Sequence, residues 1–194
     1  MGHAAVMAAL AATTLGSCAT QKNQQKTDNS MNATKIESNL DEQYLILSDA
    51  EQKAVAQTND FAFNLFRTQE GADSKVLSPI SVAYLMGMLA NGADGATQAE
   101  IMKALGQDGT SLQTLNDAYK SIASHASALD RCTQINIANC IAVNKQVTLK
   151  NEYATAMKAL FEAQVESMDF ASPKALGKIN GWCAKQTDGM IPKI

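Results

Sequence analysis

The sequence has few of the residues that catalytic and metal sites most often use. Histidine occurs twice in 194 residues, and one of the two, His3, lies in an apolar N-terminal segment. No zinc motif, calcium loop, phosphate-binding glycine pattern or serine-hydrolase motif is present. His125 has no second histidine nearby, so it is interpreted as a solvated cation in the last turn of a helix. We therefore expect no metal, no cofactor and no enzymatic acid–base chemistry.

Basic and aromatic residues are also scarce. The 16 lysines and arginines are outnumbered by 19 acidic residues, the net charge is -3, and aromatic residues make up 5%. The chain thus lacks the electrostatic signature of a protein that binds nucleic acid, and its core has to be built mainly from aliphatic side chains. Hydrophobic residues nevertheless reach 46%, which is typical of a globular domain rather than of a disordered chain.

Cysteine occurs four times, in positions that do not indicate a disulfide framework. Cys132 and Cys140 lie on one predicted strand, where their spacing separates them by roughly 26 Å. A disulfide needs Cα atoms within about 7 Å, so these two cysteines cannot pair with each other. Cys183 lies on the apolar stripe of a predicted helix. We interpret these three cysteines as buried free thiols.

The N-terminal segment is typical of an exported protein. Residues 4–15 form an apolar run that is too short to span a membrane and matches the hydrophobic part of a signal peptide. The following Leu15-Gly16-Ser17-Cys18 resembles the lipobox of bacterial lipoproteins, in which the cysteine is lipidated and becomes the mature N-terminus. The alternative is an alanine-rich leader with a chance cysteine, since no lysine or arginine precedes the run.

This segment divides the chain into three parts. We predict a lipoprotein signal peptide at residues 1–18 with lipidation at Cys18, a flexible polar tether at 19–43 and a folded domain at 44–194. The tether contains almost nothing apolar and cannot offset its own chain entropy by burial. Such a lipid anchor makes the membrane a partner. It implies an exported protein at the bacterial cell envelope or surface, or in the extracellular space.

The most informative stretch of the folded part begins at Ser78 and Pro79. These residues predict a helix start, with Ser78 as the N-cap and Pro79 at the first helical position. Residues 80–90 are apolar nearly all the way round, which predicts a buried helix. A capping box at 97–100 predicts the start of a second, amphipathic helix that ends at Gly106.

Helices and strands alternate through the rest of the domain. The clearest strand covers residues 133–143, where β-branched residues alternate with small ones that indicate cover on both faces. Further strands are predicted at residues 75–77 and 163–170. Further helices are predicted at 48–68, 112–127, 150–161 and from Ser172 to about residue 187. The last helix has an inner stripe of Leu176, Ile179, Asn180 and Cys183. The class predicted from these elements is α+β.

Several short motifs follow one another along this domain. They are Leu77-Ser78-Pro79-Ile80-Ser81, Leu89-Ala90-Asn91-Gly92-Ala93, Ile137-Ala138-Asn139, Met168-Asp169-Phe170 and Ile179-Asn180-Gly181-Trp182. In this order, over roughly residues 45–194, they resemble the N-terminal half of a serpin, a member of the serine protease inhibitor superfamily. Each motif is short, but together they are specific.

The resemblance implies a fold and a mechanism. The fold would be the N-terminal portion of a serpin, truncated, with helices packed around part of a large central sheet. The full-length protein would inhibit a serine or cysteine protease, which cleaves a reactive-centre loop that then inserts into the sheet as an extra strand. That loop is expected beyond Ile194, so the resemblance implies that this chain is inactive alone.

The resemblance also implies roles for three polar residues. Ser78, Ser81 and Asn180 match the shutter region of the family, where the strands of the sheet must part. The alternative is that all three are simply buried polar residues with satisfied hydrogen bonds. A second alternative concerns the function, since a serpin fold can also be a non-inhibitory surface binding module. Residues beyond Ile194 would decide between inhibitor and binding module.

Overall fold

The structure of the protein, a computed structural model, describes residues 8–17, 45–71, 74–128 and 133–194. The strands are β1 (Ala8–Ser17), β2 (Thr133–Asn144) and β3 (Gln164–Met168), and the helices are α1 (Asp49–Arg67), α2 (Pro79–Gly92), α3 (Gly95–Ala104), α4 (Leu112–His125), α5 (Asn151–Phe161) and α6 (Pro173–Gln186), with a 3₁₀ turn at Ala126–Ala128. Helices surrounding a small sheet confirm the predicted α+β class. Cys18, Cys132 and the predicted tether lie outside the described residues.

Helix α2 lies in the centre of the hydrophobic core, as its apolar sequence predicts. The ring of Tyr84 stacks on that of Tyr119 in α4, with centroids 4.8 Å apart and 7° between the planes. It also meets the ring of Phe161 in α5 edge-on, at 6.1 Å. The Tyr84 hydroxyl donates to the Tyr119 carbonyl at 2.5 Å, so this buried polar group is satisfied. The prediction of a buried helix is confirmed.

The starts of two helices test the capping predictions. The box at Ser48 and Glu51 is confirmed, because the Ser48 amide donates to Glu51 Oε2 at 2.8 Å and the Glu51 amide to Ser48 Oγ at 3.4 Å. The box predicted at 97–100 is wrong, since α3 begins at Gly95 and Asp94 is its N-cap. Asp94 Oδ1 accepts from the Gly95 amide at 2.8 Å, and Gly95 adopts φ +55°, which lets the chain turn into the helix earlier.

Two further local predictions are wrong. Residues 75–77 form no strand, because Val76 is fully exposed and no strand among the described residues pairs with this stretch. Leu176, expected on the inner stripe of α6, is 56% exposed. The helix turns Ala175 and Cys183 inward instead. The stripe that faces the sheet therefore begins at Ala175, one residue before the predicted Leu176.

The sheet is built around β2, which pairs on both sides. Strand β3 runs parallel to β2, with Ile141 opposite Val165, and β1 runs antiparallel to β2 along all ten of its residues. Strand β1 is not predicted from the sequence, where it overlaps the second half of the apolar N-terminal run. Edge pairing explains it, because an unpaired edge of β2 would leave a row of amides and carbonyls without partners. The assignment of residues 1–18 as a signal peptide stays a prediction.

Both faces of β2 are covered, as the small residues on one face predict. Ile141 and Val143 belong to the main core with α2. On the opposite face Ala142 joins Met168 of β3 in a second, smaller apolar cluster under α6. Asn139, which interrupts the apolar face, is buried, and its Nδ2 donates to the Phe161 carbonyl at 2.8 Å. This hydrogen bond satisfies a carbonyl at the end of α5 that the helix itself leaves unpaired.

The carboxyl ends of β2 and β3 are tied together by charge and by backbone. Lys145 Nζ lies 2.6 Å from Asp169 Oδ2, and the Lys145 amide donates to the Met168 carbonyl at 2.9 Å. The hydrogen bond from Lys145, followed by one from the Ala171 amide, lowers the pKa of Asp169 below its usual value. The folded state therefore prefers the ionised carboxylate.

This preference predicts a loss of stability in acid. A carboxylate with a lowered folded-state pKa contributes stability that is present above its unfolded-state pKa and is lost as the pH falls through the folded-state pKa. Asp169→Asn should therefore flatten the dependence of the unfolding free energy on pH below about pH 4. Urea unfolding at a series of pH values measures this dependence. Asp60→Asn, which removes an exposed carboxylate of α1, is the control, and an equal flattening by both variants would contradict the assignment.

The close approach of α2 to its aromatic neighbours gives a second prediction. A Cβ added at Gly87 would lie 3.1 Å from Tyr119 Cε2 and 3.3 Å from Phe161 Cζ. Gly87→Ala should therefore destabilise the protein by about 1–3 kcal/mol through overpacking. The matched control is Gly177→Ala in α6, where an added Cβ meets nothing within 4 Å and should stabilise the helix by about 0.5–1 kcal/mol. Urea unfolding measures both, and equal effects would contradict the packing argument.

Candidate functional site

The two serines singled out from the sequence lie together at the start of α2. Their hydroxyl oxygens are 2.7 Å apart, and both residues are half-buried. Ser78 is the N-cap residue, but its hydroxyl makes no capping hydrogen bond to an amide of the first turn. The predicted role of the Ser78 side chain as a helix cap is therefore wrong, since the hydroxyl pairs with Ser81 instead.

Asn180, the third predicted residue, lies in the second half of α6. It is half-buried, and its Oδ1 accepts from the amide of Ile194 at 3.1 Å. The structure thus joins Ser78 to Ser81 and gives Asn180 a partner in the C-terminal segment. The shutter role of the three residues stays a prediction.

The end of α6 is fixed to the sheet and to the residues that follow it. Asn136 of β2 donates through Nδ2 to the Gln186 carbonyl at 2.7 Å. The Thr187 hydroxyl, fully buried, donates to the Cys183 carbonyl at 2.8 Å and accepts from the Ile191 amide at 2.9 Å. These bonds replace hydrogen bonds that the last turn of a helix cannot make internally. They hold α6 across the sheet at one end.

A cavity of about 340 Å³ lies between α6 and the strands β2 and β3. Cys140 and Ala142 of β2 contribute to it, and Gly181 and Trp182 of α6 face it from the other side. Sequence reasoning did not find this cavity. The available signal was the small size of facing residues on β2 and α6, which leaves the helix and the sheet apart beside the bulkier Trp182.

The thiols near this cavity are poorly suited to nucleophilic chemistry. Burial raises the pKa of Cys140 to about 11, with smaller contributions from Glu166 and Cys183. Burial also raises the pKa of Cys183. Both residues are free and buried, which confirms the interpretation from the sequence. A neutral, desolvated thiol is a weak nucleophile and a weak metal ligand.

Two other kinds of site, a metal centre and a membrane-spanning helix, are absent from the residues that the structure describes. No group of three or more histidine, cysteine, aspartate or glutamate residues is arranged to hold a metal ion. No helix in the same residues combines the length and the apolar composition that crossing a bilayer requires.

The arrangement of α2, β2, β3 and α6 agrees with a known family. The family model described as "Serpin (serine protease inhibitor)" matches residues 56–194. The chain belongs to the serpin family. Its serpin fold is also shown by solved structures, among them the reactive-loop-cleaved human thyroxine-binding globulin, which is 28% identical, has a TM-score of 0.65 and covers 73% of this chain.

Curated relatives from animals are similarly distant. Iripin-2 of the tick Ixodes ricinus is 29% identical over 156 residues, which cover 77% of this chain and 39% of the relative. Human neuroserpin is 28% identical over 144 residues, which cover 74% of this chain and 35% of neuroserpin. The chain thus spans little more than a third of these serpins, and 43% of the thyroxine-binding globulin structure.

The serine pair gives a testable prediction. Ser78→Ala and Ser81→Ala should each lower the unfolding free energy by about 1 kcal/mol, because each leaves the other hydroxyl without this partner. The double variant should lose less unfolding free energy than the two single variants lose together, since both substitutions remove the same hydrogen bond. Urea unfolding measures this coupling. Ser127→Ala, an exposed serine, is the control and should change stability by less than about 0.5 kcal/mol. Strictly additive effects at Ser78 and Ser81 would contradict the pairing.

Proposed function

We propose that this chain is part of a serpin that inhibits a serine or cysteine protease by loop cleavage and strand insertion. The observation that carries the proposal is the match of the serpin family over residues 56–194, together with relatives that are named as serine protease inhibitors. The chain spans 35–39% of the curated relatives described above. We therefore assign the reactive-centre loop to sequence outside these 194 residues, and we expect the chain to be inactive by itself.

The geometry of β2 supports strand insertion as the mechanism. It has twelve residues, and the edge that faces away from β3 is paired with β1, which lies within the signal peptide that we propose is removed from the mature protein. Such a strand offers a long backbone template, and a cleaved loop adds to a sheet through the same main-chain hydrogen bonds. Above it, α6 packs through Ala175 and Ile179 on Ala142 of β2 and Met168 of β3, in a cluster that is smaller than the main core and separate from it. A helix packed in this way can shift at low cost when strands below it move.

The polar residues at the start of α2 and on α6 support the proposed shutter. Strand separation exposes backbone and side-chain groups that need new partners. The hydroxyls of Ser78 and Ser81 can each donate or accept, so they can exchange partners while the strands move. Asn180 accepts a hydrogen bond from the Ile194 amide and so binds the segment after α6 to the helix. That segment would have to move together with α6. We propose that these three residues stabilise the closed sheet.

The N-terminal sequence supports a location for the inhibitor. We propose that Cys18 carries a lipid and that residues 19–43 tether the serpin domain to the bacterial cell envelope or surface. The lipobox-like Leu15-Gly16-Ser17-Cys18 and the polar composition after it carry this proposal. The target would then be an extracellular or envelope protease.

A non-inhibitory binding module is the second candidate. It is favoured by the similarity to thyroxine-binding globulin, a serpin named for the hormone that it binds, at 28% identity. In that case the domain would bind a ligand or a partner, and cleavage of its reactive-centre loop would not trap a protease.

Formation of a covalent complex separates these proposals. The complete protein, of which this chain is a part, should form a complex with a trypsin-, chymotrypsin- or subtilisin-type protease that survives denaturing electrophoresis. The 194-residue chain alone should form none with the same proteases. Cleavage of the complete protein without a trapped complex would favour the binding module. A trapped complex with the 194-residue chain would contradict the assignment of the reactive loop to sequence outside it.

A further inference from the structure

The cavity under α6 has the shape and chemistry of a small-molecule site. Its volume of about 340 Å³ lies within the range of ligand pockets. The apolar part of its lining comes from three elements, namely Cys140 and Ala142 of β2, Met168 of β3, and Ile179 and Trp182 of α6. Burial keeps the Cys140 thiol neutral, so the charged side chains of the lining are Lys178 and Lys185 of α6 and Glu166 of β3. An apolar ligand body can lie between the Trp182 ring and the sheet.

The polar part of the lining carries a net positive charge. Lys178 and Lys185, about two helical turns apart on α6, line the cavity, and both are exposed. Among the described residues the one ion pair is formed by Lys145 and Asp169, so neither cavity lysine is paired with a carboxylate there. Glu166 also lines the cavity, and its Oε1 already accepts from Gln164 Nε2 at 2.9 Å.

We propose that this cavity binds a small organic anion with an apolar body, namely a medium-chain alkyl carboxylate or an aryl carboxylate. The carboxylate lies at the two lysines, and the alkyl chain or ring lies against Trp182. At about 30 Å³ for each water-sized group, the cavity has room for roughly ten non-hydrogen atoms. This size corresponds to a carboxylic acid of about eight carbons, for which millimolar or tighter binding is within the limits known for small ligands.

The ligand would bridge α6 and the sheet, which otherwise share the small apolar cluster around Ala142, Met168 and Ala175. It would touch β2, β3 and α6 together, and it would bind the folded state alone. Binding should therefore raise the midpoint of thermal unfolding in a concentration-dependent way. The proposal depends on the cavity and its charges, and it holds whether the complete serpin is an inhibitor or a binding module.

Trp182 is the one tryptophan of the chain, so its fluorescence reports directly on this cavity. The probe is 8-bromooctanoate, whose bromine quenches indole fluorescence at short range. We expect saturable quenching together with a rise in the unfolding midpoint on addition of octanoate. The double variant Lys178→Met, Lys185→Met should weaken binding by about three- to tenfold, the range of partly exposed charge contacts. Lys174→Met, on the same helix but outside the lining, is the matched control and should leave the affinity unchanged.

Two further measurements make the test decisive. Gly181→Leu adds an apolar side chain to the lining at a position where a Cβ meets nothing within 4 Å, and it should abolish saturable quenching while the fold is retained. Octanol and octyltrimethylammonium replace the carboxylate by a neutral and a cationic head, and both should bind more weakly than octanoate. Quenching that does not saturate, equal binding of octanol and octanoate, or stronger binding of the cation would overturn the proposal.

Discussion

The contact between α2 and the aromatic rings of α4 and α5 is the constraint on which the rest of the structure depends. Gly87 brings the α2 backbone so close to Tyr119 and Phe161 that there is little room for even one methyl group. This approach stacks Tyr84 on Tyr119 and fixes the separation of three helices. Since α5 connects β2 to β3, the position of Phe161 also sets where the parallel pair of strands lies.

Hydrogen bonds between distant parts of the chain keep this apolar packing in register. Asn91 of α2 and Asn116 of α4 exchange reciprocal amide bonds of 2.8 and 2.9 Å. Asn139 on the apolar face of β2 reaches the end of α5. Apolar surfaces alone can slide past one another, whereas a buried amide N–H reaches its acceptor in one arrangement only. These amides therefore select the alignment of α2, α4, α5 and the sheet, while the aromatic contacts supply most of the burial.

The sequence predicts the elements whose signals are local. Three such predictions are confirmed, namely the capping box at Ser48, the helix start at Pro173 and the strand β2. Each of them depends on residues that are neighbours in the sequence. Predictions failed where tertiary context decides. Asp94 is the N-cap in place of the expected box at 97–100, because Gly95 allows an earlier turn. The inner stripe of α6 follows Ala175 rather than Leu176, because Ala175 packs in the cluster with Ala142 and Met168 while Leu176 is exposed. The cavity was not predicted, since it results from the spacing of two elements.

The small residues between α6 and the sheet connect the proposed mechanism with the proposed ligand. The helix meets the sheet in a small cluster around Ala142, Met168 and Ala175, and one of its ends is attached by the hydrogen bond from Asn136 to the Gln186 carbonyl. A small contact allows α6 to move when a strand enters the sheet, and it also leaves the space beside Trp182. A carboxylate in that space would hold α6 against β3 and would oppose the movement. In the inhibitor proposed above, a ligand that stabilises the closed sheet would slow strand insertion without touching the protease, and occupancy of the cavity would be coupled to inhibition through the position of one helix.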